Sequence, residues 1–160
     1  MKKATNIILS LTLIVIALTG CATHTGNVYF PEPSANFTPK ETYAVSYDKL
    51  WDATLNALDA NRIATVSADK VSGTIQTDGI EGPSATVGYF LASQSTRYEY
   101  NISLRNQSDG NVKLNIFCKI EDTVSNGQGS TQWHDVTSQN ADRAKKLETW
   151  LYEQIEKEIQ

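Results

Sequence analysis

Two nine-residue stretches, 97–105 and 112–120, place an apolar side chain at every second position. In the first, Tyr98, Tyr100, Ile102 and Leu104 share one side, with Glu99, Asn101 and Ser103 on the other. In the second, Val112, Leu114, Ile116, Cys118 and Ile120 fall in phase. A period of two marks a half-buried strand. The intervening residues 106–111 contain Ser108-Asp109-Gly110, a turn signal. The pattern predicts an antiparallel hairpin with one apolar face. A lone hairpin is at best marginally stable in water, so a second layer must cover that face.

Helical periodicity supplies the layer. Leu50, Trp51, Thr54, Leu55 and Leu58 form a stripe, with Ser46 placed to cap and Asp48 in the first turn. This predicts a helix over 48–61. Ala144, Leu147, Leu151, Ile155 and Ile159 recur at three- and four-residue steps beside Trp150 and Tyr152, predicting a last helix capped by Ser138 and running to about Glu158. Residues 42–47 have strand composition, 63–67 and 71–77 read as a hairpin, and 131–136 as a short strand. Strand, helix, several antiparallel strands and helix give an α+β domain over 41–160 with two helices. Trp51 and Leu55 are expected against the sheet, and Leu151 and Ile155 in the core.

The N-terminus reads differently. Lys2 and Lys3 precede an apolar run at 7–18, too short to span a bilayer as a mature helix, and Leu18-Thr19-Gly20-Cys21 follows. An ordinary secretory signal with a chance cysteine, or an uncleaved anchor, are the alternatives to a specific resemblance. The junction resembles the lipobox of bacterial lipoproteins, in which the cysteine is lipidated and becomes the mature N-terminus. That resemblance implies a signal peptide at 1–20, palmitate-type acylation of Cys21 and a membrane tether without a transmembrane helix. Ala22 after the cysteine implies, by the same resemblance, the outer membrane, with the domain expected on the periplasmic face. Residues 21–40, with three prolines and many small polar side chains, read as a linker spanning about 25 Å as a coil. Its Tyr29, Phe30 and Phe37 either dock or are scattered aromatics of a tail.

Without residues 1–20 the chain carries 12 basic and 18 acidic side chains, a formal charge of −6. With no basic run, nucleic acid is not an expected partner. If Cys21 is lipidated, Cys118 has no partner for an intramolecular disulfide.

Trp51, Ala57-Leu58, Ile63, Asp69 and Gly73 follow a spacing that resembles the repeated domain of the C-component lipoprotein of the outer-membrane β-barrel assembly machinery. The likeness implies a helix-grip fold, a curved antiparallel sheet wrapped on a long C-terminal helix. That family carries two such domains after a long unstructured segment, whereas this chain has one.

Nothing in the chain reads as an enzyme. His24 and His134 are the only histidines and have no ligands at metal spacing. Cys118 with His134 is a conceivable nucleophile pair, but Cys118 is in phase with the core. The carboxylates of the last helix, Glu148, Glu153, Glu156 and Glu158, read as a solvated face, with Glu153 and Lys157 an i,i+4 pair. No catalytic residue, metal or cofactor is expected. Residues 78–96 are long for a connection and carry Val87, Tyr89, Phe90 and Leu91. They are either a partner-binding loop or one more buried strand or helix edge. The expectation is a non-enzymatic envelope module binding another envelope component, such as a protein partner. The alternative is a carrier of a hydrophobic small molecule or lipid, since a sheet on a helix can enclose an apolar pocket.

Overall fold

The computed structural model describes residues 31–87, 92–125 and 132–160. In chain order the elements are β1 (Thr42–Tyr43), α1 (Tyr47–Ala60), β2 (Thr65–Asp69), β3 (Thr74–Thr77), β4 (Ile80–Val87), β5 (Ala92–Asn106), β6 (Val112–Ser125), β7 (His134–Asp135), a 3-10 turn at Ser138–Asn140 and α2 (Ala141–Ile159). All strand pairs are antiparallel, in the order β1-β6-β5-β3-β2, with β4 also on β5 and β7 also on β6. Two helices on an open, curved seven-stranded sheet make the helix-grip-like α+β fold.

The β5–β6 hairpin is the spine. It pairs without interruption from Ser93 opposite Ser125 to Asn106 opposite Val112. Its turn closes through Gly110 at φ +84° and an Asp109 carboxylate that accepts from the Asn111 amide at 3.0 Å. Tyr98, Tyr100, Ile102 and Leu104 on β5, and Val112, Leu114, Ile116, Cys118 and Ile120 on β6, are buried beneath the helices. From the helices, Leu50, Trp51, Leu58, Leu147, Leu151 and Ile155 meet them, with Leu55 packed at the margin. Tyr100, the largest fully buried side chain, donates its hydroxyl to the Leu147 carbonyl of α2 at 3.3 Å, so it leaves no polar atom stranded.

Local chemistry sets the element ends. Ser46 Oγ accepts from Lys49 N at 3.2 Å, which starts α1 at once, so the strand expected over 42–47 stops at Tyr43. Helix α1 closes as a Schellman motif: Ile63 N donates to Leu58 O, Arg62 N to Asp59 O, and Arg62 is left-handed at φ +58°. Those residues end the helix, so β2 begins at Thr65 and not at Ile63. Ser138 does not cap the last helix. Its hydroxyl bonds Gln139 within the 3-10 turn, and α2 starts at Ala141. The strand expected over 131–136 is paired only at His134 and Asp135.

Asp69 and Gly73 shape the β2–β3 turn. Asp69 Oδ1 accepts from the amides of Val71 and Ser72, and the Ser72 side chain together with these amides holds its carboxyl below the usual range. Gly73 sits at φ +72°, and its carbonyl accepts from Leu104 N at 2.8 Å. Trp51 stacks on Tyr47, whose hydroxyl donates to Lys70 O at 2.8 Å.

Candidate functional site

Cys21, the expected lipidation site, lies outside the described residues. The described chain begins at Pro31, and its first ten residues, without regular structure, run along α2. Ser34 donates to both oxygens of Glu153, through its amide at 2.9 Å and its hydroxyl at 2.6 Å. Glu32 pairs with Lys146 at 3.1 Å, and Phe37 packs against the core. Glu153 also meets Lys157 at 3.3 Å. The reading of Glu153 as part of a solvated face is therefore corrected: it is buried because it anchors this strap.

Ser34's hydroxyl and amide hold the Glu153 carboxyl below its ordinary value of 4.5. Because the folded value lies below the unfolded one, this grip is complete above about pH 4.5 and is lost as pH falls through the folded value. At pH 7, Glu153→Ala should speed amide exchange at Ser34 by about tenfold or more, as losing a charged hydrogen-bond partner is worth about 1.5–3 kcal/mol. Exchange at the wild-type rate would mean that Phe37 and the Glu32–Lys146 pair hold the strap without Glu153.

Helix α2 also closes the free edge of β6 between β1 and β7. The Tyr152 hydroxyl accepts from Ile116 N at 3.2 Å and donates to Leu114 O at 3.1 Å. Glu148 Oε1 accepts from Cys118 N at 3.1 Å, and Thr137 Oγ1 from Ile120 N at 2.9 Å. Side chains of α2 and of Thr137 ahead of it thus stand where a neighbouring strand would be, a way of covering an edge. Glu148 is a structural acceptor and Glu156 accepts from the Tyr43 hydroxyl at 3.3 Å, so of these four glutamates only Glu158 is exposed.

Cys118 and His134 are not brought together. His134 is exposed and registers with Asp122, four residues along β6 from Cys118, or about 13 Å of strand. Cys118 is fully buried, and burial, reinforced by Glu148 and Glu99, pushes its thiol far above the ordinary range. A thiol so protonated is a poor nucleophile. Among the described residues no cluster of His, Cys, Asp and Glu has metal-binding geometry.

Within the stretch 78–96, the described residues from 80 to 87 and from 92 onward are strand and not loop. They form β4 and the start of β5, paired from Ile80 opposite Tyr98 to Val87 opposite Ala92, with a register shift between Glu81 and Ser84 around Pro83. Val87 is thus the last residue of a strand, while Tyr89, Phe90 and Leu91 lie outside the described residues.

The solvent face of the sheet is organised into two zones. Towards β4 and β7, Lys119 bridges Glu99 at 3.5 Å and Glu121 at 2.7 Å, and Glu121 meets Arg97 Nε at 2.7 Å. The Arg97 guanidinium lies 4.3 Å from the Trp133 ring centre, a cation–π contact. Burial raises the Glu121 carboxyl, but hydrogen bonds and charge from Lys119 and Arg97 outweigh it and hold the group below its ordinary range. Between this cluster and the row of Arg105 opposite Lys113 near the β5–β6 turn, the face is uncharged. There Gln76, Asn101 and Phe117 make one cross-strand row and Thr74, Ser103 and Asn115 the next. Sequence reasoning passed over this face. The available signal was Phe117, apolar yet out of phase with the buried side of its strand.

Among known proteins, no family model matches the chain, and a search of the curated proteins returns no match.

Proposed function

We propose that this chain is a non-enzymatic, lipid-anchored module of the outer membrane, facing the periplasm and binding another envelope component. The observation that carries the reading is the Leu18-Thr19-Gly20-Cys21 junction directly after the apolar run at 7–18. The strap supports it. With the chain fixed to α2 from about Pro31, only ten residues separate the domain from Cys21, a reach of at most about 35 Å. The tether is thus shorter than a linker reaching to residue 40, and the start of α2 is the end of the domain nearest the bilayer.

The carrier reading gains no support from the described residues. The space between sheet and helices, where a lipid would sit, is filled by Tyr100, Leu50, Leu147, Leu151 and Ile155, each fully buried. Such a core is packed like a solid and offers no ready cavity.

Replacing Cys21 by serine tests the anchor. The variant should lose labelled palmitate and leave the outer-membrane fraction, while the domain keeps its melting temperature. Palmitate retained on Cys21→Ser would overturn the reading. In-cell crosslinking of the wild-type protein should trap an envelope component; a wild-type chain that crosslinks to nothing would remove the binding role.

A further inference from the structure

The strap is held differently from the chain that follows it. Pro31, Pro33 and Pro39 have no amide proton to give, and none of residues 31–40 is buried. The fixed points are few. Glu32 pairs with Lys146, Ser34 with Glu153, the Phe37 amide turns back to Ser34 O at 2.9 Å, and the Phe37 ring is half-buried against the core. Glu41 begins a second, separate attachment. Its carbonyl accepts from Leu114 N at 2.8 Å, its carboxylate meets Lys113 at 3.3 Å, and β1 then pairs with β6. The strap is therefore free to leave α2 while β1 stays in the sheet.

Its departure changes two things at once. The strap runs from Lys146, near the start of α2, towards the other end of the helix, where Tyr43 of β1 donates to Glu156. Ten helical residues, about 15 Å, separate Lys146 from Glu156. With the strap docked, the chain to Cys21 departs beside the start of α2 and reaches at most about 35 Å. With the strap undocked, it departs from Glu41, beside the far end of α2. Twenty residues then separate the domain from Cys21, a reach of at most about 70 Å. The tether doubles, and the domain hangs from its opposite end.

The two polar holds share one chemistry. Each uses a carboxylate, Glu32 or Glu153, so acid weakens both. Glu32–Lys146 is an exposed ion pair, which holds little. Glu153 is the stronger grip, because each of its oxygens accepts a hydrogen bond from Ser34. The charged group facing Glu153 is Lys157, on its own helix at 3.3 Å. The strap presents Ser34 to it, and from β1 the Tyr43 hydroxyl is given to Glu156. Protonating Glu153 turns charge-assisted bonds into neutral ones of about half the strength. We propose that the strap is a two-position latch: docked at neutral pH, it hangs the domain by the start of α2, and released in acid, it hangs the domain by β1 on a tether twice as long. The membrane end of that tether rests on the lipid-anchor reading, whereas the latch rests on the contacts of the strap alone.

The test uses the full-length protein isolated from membranes, placed in nanodiscs with a spin-labelled lipid headgroup and observed by NMR. From pH 7 to about pH 3.5, exchange protection of the Ser34 and Phe37 amides should fall by at least about fivefold. Protection of the Leu114 amide, bonded to Glu41, should change by less than about twofold over the same range. Glu153→Gln should show the loss already at pH 7 and little further change in acid. Paramagnetic broadening at Ala144 and Lys146 should weaken when the strap is released, by acid or by Glu153→Gln. Strap protection unchanged in acid, Leu114 protection lost together with that of Ser34, or a Glu153→Gln protein that follows the wild-type pH profile would each overturn the latch. A released strap with unaltered broadening at the start of α2 would overturn the change of hanging point. A protein that carries no lipid on Cys21 and does not associate with the nanodisc would sink the anchor reading and the two hanging points with it, while the exchange profile still decides the latch.

Discussion

Gly73→Ala should be the most damaging single-methyl change in this protein. A Cβ at that position overlaps the carbonyl oxygen of Leu104 and comes within 3.0 Å of the Tyr47 hydroxyl. The Leu104 carbonyl belongs to the central strand β5, whose amide is bonded to Gly73 O, so it cannot move away without breaking β3 from β5. The positive φ of +72° adds conformational strain for any residue with a Cβ. The two together should cost at least about 3 kcal/mol. Gly110 is the internal control. It also has a positive φ, +84°, but nothing lies within 4 Å of its would-be Cβ. Gly110→Ala should therefore cost only about 1 kcal/mol. Thermal melts of the two variants read the difference. Equal losses would mean that close packing at Gly73 is not what requires glycine there.

Leu151→Ala should lose about 2–5 kcal/mol, the range for emptying a fully buried leucine site. The neighbours of Leu151 give the site little means of collapse. Leu147 and Tyr152 belong to the same helix, and Tyr152 is fixed by two backbone hydrogen bonds to β6. The same change therefore loosens the edge of β6 that the helix closes. Denaturant unfolding gives the loss directly. A midpoint equal to that of the wild type would place Leu151 outside the core.

The core was legible because it is periodic. The alternation on β5 and β6 and the helical stripes on α1 and α2 named nearly every buried side chain, and the α+β architecture follows from their order. What escaped has physical reasons. Strand β4, Ile-Glu-Gly-Pro-Ser-Ala-Thr-Val, does not alternate: it pairs with the start of β5, and Pro83 sits at its register shift. Length and apolar content then read as a loop. Ser138 had the right residue type for a cap, but Val136 N and Thr137 Oγ1 bond Ile120 and hold the preceding segment to β6, leaving the chain to enter α2 through a 3-10 turn. Glu148 and Glu153 lie among surface residues of a charged helix. Only the three-dimensional position of the β6 edge and of Ser34 gives them partners, and no one-dimensional pattern encodes that. The outer face was missed for the opposite reason. Gln76, Asn101, Ser103 and Asn115 make no side-chain hydrogen bond among the described residues, so they leave no mark on the fold. The only trace in the sequence is one aromatic out of phase.

The tether is the centre of this account, and the mass of the mature protein isolated from membranes tests it most directly. The account predicts a chain that begins at Cys21, without residues 1–20, and carries the added mass of acyl chains on that cysteine. A chain that keeps Met1, or one cleaved at another position with an unmodified Cys21, would contradict it.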